Sequence, residues 1–336
     1  MSTLTLLATA LLAAAADNSA AHDIPDPLPV GQCINVGNHL EPEQESSWGG
    51  EILDAEDFAS IRGAGFDTIR LPVRWANKTG PGPDYVVDAV WMDRVQEVVD
   101  MAFAADLNVL LDSHNFEELH ANPAANTAKL AAIWRQIGAR FADYPDERLW
   151  FEIENEPHDA LTNRNLLDTL TPALLAIRET NSSRPVVIGG EWWSGVDSLA
   201  TLELPDDPNV HPTFHYYEPF DFTHQGASWV DPSPTIGRTY GTEADRQRLA
   251  NDALKVVAYM ARTGRTPFIG ETGAYDAHIS LEQRVAYHSA VTQQFAPLGI
   301  DSCMWAYTNT FPFRDQETGE WHPELLEAIQ WSSGAE

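Results

Sequence analysis

Positive charge is scarce in this chain. Its 336 residues carry 20 lysines and arginines against 50 acidic residues, a formal charge of −30. The only lysines are Lys78, Lys129 and Lys255. Nucleic acid and anionic membrane both require a basic face, so neither is expected as a partner. An acidic, lysine-poor surface is instead compatible with a salty habitat. Linkers rich in Pro, Ser or Gly are missing, as are short-period repeats and any appended module, which points to a single domain. The apolar run from Leu4 to Ala16 is too short to span a bilayer. Followed by the small residues at 17–21, it reads as a secretory leader. Residues 1–21 are therefore expected to be a signal peptide, and 22–336 the working domain of a monomer that is secreted or periplasmic. Cysteine is rare, at Cys33 and Cys303 only. No Cys/His cluster has zinc spacing, so neither a metal nor an organic cofactor is expected.

What the chain does have is an apolar core and many aromatic rings. Hydrophobic residues make up 43%, enough for a large core, and there are 11 tryptophans. Most tryptophans should pack inside. Trp48, Trp75, Trp192, Trp193 and Trp229 sit where loops are expected, and exposed flat rings suit the apolar face of a pyranose.

Short β-rich apolar runs alternate with amphipathic stretches. The runs are Cys33–Val36, Phe66–Leu71, Leu107–Asp112, Leu149–Ile153, Pro185–Gly189, Val210–Tyr216, Pro267–Gly270 and Asp301–Ala306. Runs of this kind suit strands buried on both faces. Helical spacing recurs between them, at Val90–Ala102, Leu130–Phe141, Leu166–Ile177, Leu249–Met260 and Gln283–Phe295. Strand, helix, strand repeated eight times predicts a single-domain α/β fold, the (β/α)8 TIM barrel, which typically takes roughly 250 residues. In a closed barrel the first and last strands are neighbours, which brings Cys33 near Cys303. Neighbouring strands seldom give good disulfide geometry, so two buried free thiols are the expectation. The segment Glu218 to Glu243 after the sixth strand is long enough to be functional.

Chemistry on such a barrel sits at the C-terminal ends of the strands. The fourth run ends in Asn155-Glu156-Pro157, residues that do not extend a strand well. The other ends offer Arg70, Asp112-Ser113-His114-Asn115, His215-Tyr216-Tyr217, Gly270-Glu271 and Trp305. Glu156 on the fourth strand and Glu271 on the seventh face each other across the barrel. Two opposed carboxyls are what glycosidic cleavage needs: one protonates the leaving oxygen, and the other attacks the anomeric carbon or activates water. A lone glutamate there could equally cap a helix or pair with a cation. His120 and His288 read as core imidazoles.

These pieces together resemble glycoside hydrolase family 5, the retaining cellulases and mannanases. The matching segments are Ile34-Asn35-Val36-Gly37-Asn38 with Glu41 and Trp48, Gly65 to Pro72, Leu111 to His114, Asn155-Glu156-Pro157, His215-Tyr216-Tyr217, Gly270-Glu271 and Trp305. They occur in the family's order and cover Cys33 to Tyr307. The resemblance implies Glu156 as general acid/base and Glu271 as nucleophile, about 5–5.5 Å apart. It implies that Arg70 and Tyr217 hold Glu271, that His215 tunes Glu156, and that Asn155 binds the sugar 2-hydroxyl. His114 and Trp305 would contact the sugar next to the cleaved bond. Asn38 and Glu41 match a segment that touches distal sugars. Pro219 to Trp229 resembles the loop of members that take both glucan and mannan, which nominates His224 and Trp229. Many members carry a second histidine after the position of His114, where this chain has Asn115. The implied activity is endo-acting cleavage of a β-1,4-linked polysaccharide or oligosaccharide, most simply β-1,4-glucan, with a mannanase or dual enzyme as the near alternative. A non-catalytic carbohydrate-binding barrel would be expected to lack one of the two glutamates. A metal-dependent barrel hydrolase would need more strand-end ligands than His114 and His215.

Overall fold

In the computed structural model, described over residues 26–331, eight parallel strands close into a barrel in sequence order. The strands are β1 (Gln32–Asn35), β2 (Thr68–Arg74), β3 (Asn108–His114), β4 (Leu149–Glu152), β5 (Val186–Ile188), β6 (Val210–His215), β7 (Phe268–Thr272) and β8 (Ser302–Met304). The helices are α1 (Ala55–Gly63), α2 (Ala89–Ala104), α3 (Glu117–Ala121), α4 (Pro123–Arg140), α5 (Leu166–Arg178), α6 (Phe220–Thr223), α7 (Glu243–Thr263), α8 (Leu281–Phe295) and α9 (Pro323–Ala328). The expected leader lies outside the described residues. None of the described helices is long and apolar enough to cross a membrane.

The eightfold strand–helix alternation fails in one place. Between β5 and β6 there is only a 3-10 turn, Val196–Ala200. The preceding Trp192, Trp193 and Ser194 take left-handed backbone angles, with φ of 57°, 56° and 54°, so these three residues are not themselves part of a right-handed helix.

Alternation along the strands sorts the residues into layers. Outward residues such as Ile34, Ile69, Leu111, Phe151 and Ile269 join the large core under the helices. Inward residues at the lower end, Cys33, Leu110, Trp150, Val187, Phe268 and Cys303, form a small separate apolar cluster with Leu28 and Val30. Cys33 and Cys303 stand opposite each other in the β1–β8 register, both inward. Contrary to the expectation of free thiols, they are joined as a disulfide, with Cα atoms 4.2 Å apart. The β1–β8 register makes the two residues direct partners, so both side chains point side by side into the barrel floor. Trp75, expected among exposed loop rings, is instead wholly buried in the core, because β2 runs on to Arg74 and carries it inside.

Candidate active site

Two residues above the apolar floor, the inward layer becomes charged. Arg70 on β2 is fully buried. Its Nε and Nη2 donate to the two oxygens of Glu152, at 2.7 and 3.0 Å. Nη2 also donates to Asn155 Oδ1 at 2.6 Å and lies 3.1 Å from Asp112 Oδ2. Nη1 donates to Asn35 Oδ1 at 3.0 Å and to Glu271 Oε1 at 2.7 Å. Burial works against the guanidinium charge, but Asp112, Glu152 and Glu271 outweigh it and hold Arg70 firmly protonated. Asn35 fixes this hub to the wall, donating through Nδ2 to the carbonyls of Gly270 and Met304 at 3.0 and 3.3 Å.

A break in the β6–β7 register aims Glu271 at the hub. The pairs run Thr213↔Phe268, Phe214↔Ile269 and then His215↔Glu271, so Gly270 is the extra residue of a bulge. Strict alternation from Phe268 would turn Glu271 outward; the bulge returns it to the interior. Only glycine fits there, since a Cβ at position 270 would stand 2.8 Å from Thr213 Oγ1 and 2.9 Å from His215 Nε2. Glu271 Oε2 accepts from the Tyr217 hydroxyl at 2.9 Å. Burial, with Glu271 and Glu156 nearby, pushes the Tyr217 phenol well above its ordinary value, so it acts as a donor.

Glu156 projects from the loop after β4. Its Oε1 lies 2.7 Å from His215 Nδ1. The same nitrogen is 3.6 Å from Glu271 Oε2. Donor atoms of Glu156, His215 and Glu271 all fall within 4.8 Å of one another. Burial raises the Glu156 carboxyl above the ordinary carboxylate range despite the opposing fields of His114 and Arg70. Burial also lowers His215 to about 4, so its imidazole is neutral at neutral pH. One carboxyl thus has a cation and a phenol on it, and the other a neutral ring.

Asn155 and His114 line the adjoining wall. With Asn155 Oδ1 taken by Arg70, its Nδ2 faces His114 Nε2 at 3.2 Å. His114 Nδ1 lies 2.5 Å from Asp112 Oδ2. Burial lowers His114 to about 4, so the neutral ring carries its proton on Nδ1 toward Asp112 and accepts at Nε2. Trp305 lies nearly parallel to His114, with 6.0 Å between ring centres and 14° between planes. Gly37 makes room for it, because a Cβ there would stand 2.7 Å from the indole.

The outer candidates separate into two groups. Glu41 is buried and clamps its own loop, its carboxyl accepting from the backbone N–H groups of Asn38 and His39. Burial raises it to about 8. Asn38 is partly exposed and donates to Thr310 Oγ1 at 3.3 Å. His224 is buried, stacked on Phe220 at 4.2 Å and edge-on to Tyr217 at 4.9 Å. It braces the loop after β6 against the Glu271 donor. Trp229, Trp192, Trp193 and Trp48 are open to solvent, at 53%, 56%, 53% and 42% exposure.

The sequence profile of the family described as Cellulase (glycosyl hydrolase family 5) matches residues 33–310. The chain belongs to glycoside hydrolase family 5. Among curated family relatives, endoglucanase H of Acetivibrio thermocellus is 30% identical over 306 residues, 89% of this chain and 33% of that protein. Endoglucanase B of Clostridium cellulovorans is 28% identical over 90% of this chain and 73% of its own length. The chain spans 33% and 39% of the length of the first two curated relatives it matches. Among solved structures, Cel5A of Thermotoga maritima in complex with cellobiose superposes with a TM-score of 0.87 at 34% identity, covering 91% of this chain and 100% of that one.

Within this family 5 barrel, the structure brings Arg70, His114, Asn155, Glu156, His215, Tyr217, Glu271 and Trp305 to one mouth. Sequence reasoning assigns no role to three residues of the same network: Asn35 and Asp112 are named only within segments, and Glu152 not at all. Glu152 was read as part of a buried strand. The signal was a glutamate inside an apolar run, which demands a buried cation.

Proposed function

We propose that this chain is a retaining endo-β-1,4-glucanase in which Glu271 attacks and Glu156 transfers the proton. The observation that carries the reading is the unequal seating of two glutamates whose oxygens approach within 4.8 Å. That approach suits the roughly 5–5.5 Å carboxyl spacing of retaining enzymes. Arg70 and Tyr217 present donors to both Glu271 oxygens, which orients the carboxylate as a nucleophile. Glu156 is partly buried, and that burial favours its protonated form, as a general acid requires.

In the first step Glu271 forms a bond to the anomeric carbon while the glycosidic oxygen leaves with the Glu156 proton. In the second, Glu156, now a carboxylate, takes a proton from water, whose oxygen displaces Glu271 and restores the free sugar with its configuration retained. Asn155 Nδ2 carries a second hydrogen beyond the one directed at His114 Nε2, and that hydrogen is the donor for the sugar 2-hydroxyl, while His114 and Trp305 wall the same ring. Trp229 and Trp192 offer stacking surfaces for outlying sugars. The Cys33–Cys303 bond supports a secreted or periplasmic location, since disulfides persist in oxidising compartments.

A second reading, action on mannan as well as glucan, draws support from a Thermotoga maritima Cel5A structure titled as a complex with mannotriose, 34% identical with a TM-score of 0.87. Reducing-sugar release from carboxymethylcellulose and from a mannan separates the two. Release from cellulose alone supports the glucanase, release from both supports the dual enzyme, and release from mannan alone contradicts the proposal.

A further inference from the structure

A second cluster of titratable groups lies beyond β3 and β4, on α3 and the loop after β4. Glu117, His120 and His158 each place one donor atom within 4.8 Å of the other two, and the two imidazole centres are 3.9 Å apart. His158 Nδ1 lies 2.6 Å from the Glu156 carbonyl oxygen. A carbonyl only accepts, so Nδ1 carries a proton, and in the neutral ring Nε2 offers a lone pair. That Nε2 faces Glu117 Oε2 at 3.8 Å, too far for a direct hydrogen bond. Two ligands of one tetrahedral ion with bonds of about 2.0–2.1 Å stand roughly 3.3–3.5 Å apart, so a small movement of the exposed Glu117 closes the gap. Trp193 stacks on His158 at 4.9 Å and 9°, which fixes the ring.

An independent observation comes from His120 and Glu154, both buried. Glu154 Oε1 is 3.0 Å from His120 Nε2, but out of alignment. Oε1 and both His120 ring nitrogens therefore have no hydrogen-bond partner among the described residues. Glu154 stands beside Nε2, but His120 Nδ1 has nothing to pair with among the described residues, and a buried polar atom left so points to a missing ion or water. A histidine backed by a carboxylate, beside another backed by a backbone carbonyl, is also the usual outer support of histidine metal ligands.

We propose that Glu117, His120 and His158 bind a divalent transition metal of the zinc type, with Glu154 orienting His120 from behind. Imidazole and carboxylate donors suit such an ion, and three protein ligands leave a fourth position for water. The site adjoins the Glu156–Glu271 pair without sharing a ligand with it. Its donors are scattered over 117, 120 and 158, so no zinc-type spacing announces it in the sequence.

Calorimetric titration of the tag-free, EDTA-treated full chain with zinc chloride tests this. One saturable zinc per chain is expected. Glu117→Gln should weaken binding at least tenfold, and His158→Gln and His120→Gln should abolish it. His278→Gln, an exposed histidine elsewhere, should leave binding unchanged. His120→Gln alters the surroundings of the buried Glu154, whereas Glu117 is largely exposed, so its exchange tests the site without endangering the fold. No saturable binding, or binding unaltered by the Glu117 and His158 exchanges, would overturn the proposal. Zinc held instead by Glu156, His215 and Glu271 would also overturn it, and would be recognised because it survives those exchanges and is lost in His215→Gln.

Discussion

Trp150 and Glu152 point into the same barrel from one strand, two residues apart, and their surroundings have opposite character. Around Trp150 lie Cys33, Leu110, Val187, Phe268 and Cys303, an apolar floor. Around Glu152 lie Arg70 and Asp112, with Asn35, Asn155 and Glu271 on the same guanidinium. The floor gains free energy from burial of apolar surface. The layer above it loses solvation for every charge it holds and stands only because the charges are paired and hydrogen-bonded. One step of strand alternation thus separates the part of the interior that stabilises the fold from the part that positions the chemistry.

Substitutions in the two layers should therefore fail differently. The largest effect is expected at the top. Glu271→Gln should cut polysaccharide hydrolysis by roughly 10⁴-fold or more, as removal of a nucleophile does, and leave the thermal midpoint close to that of the parent. A residual rate within tenfold of the parent would remove Glu271 from the mechanism. Glu156→Gln should slow natural substrates by about 10²–10⁴-fold. The loss should shrink on an aryl glycoside whose leaving group needs no proton, so an equal loss on both substrates would argue against general acid catalysis.

Next come two variants of similar cost to stability and opposite effect on turnover. Trp150→Ala should destabilise by about 3–5 kcal/mol while the folded fraction keeps its kcat. Arg70→Met leaves Asp112 and Glu152 buried without their cation, a loss of about 3–5 kcal/mol, and should abolish turnover as well. Denaturant melts with single-turnover assays on the folded protein read both quantities, and a Trp150→Ala enzyme that folds but does not turn over would break the division between the layers. The smallest effect is on pH. Glu156 must be protonated to act, and burial raises it above the ordinary carboxylate range. The alkaline limb of kcat/KM should follow its ionisation, so activity falls as pH rises through that raised value. The limb should vanish in Glu156→Gln, and a limb of unchanged position there would assign it to another group.

The strand order was legible because each strand is buried on both faces and reads as a short apolar run. The mouth residues were legible because polar groups ended those runs in a recognisable order. Other features depend on three-dimensional closure. The Cys33–Cys303 bond follows from register across the seam, which no local pattern encodes. The inward turn of Glu271 depends on a bulge at Gly270, and periodicity alone would have turned it out. Glu41 and His224 looked like surface contacts in sequence but are buried, because each has a loop to hold. Trp192 and Trp193 lie in a loop, as expected, but the left-handed backbone that turns them outward was not legible in the sequence. Family 5 membership reached the sites through motifs, while Glu152, and the pairing role of Asp112, emerged only from the demands of a buried arginine.

The central claim is that Glu271 bonds to the sugar and Glu156 does not. Incubation with a 2-deoxy-2-fluoro-β-cellobioside bearing an activated leaving group, followed by peptide mass spectrometry, tests it directly. A fluorocellobiosyl label on the peptide containing Glu271, absent in Glu271→Gln, is the predicted result. A label on Glu156, or hydrolysis that inverts the anomeric centre with no label on either residue, would contradict it.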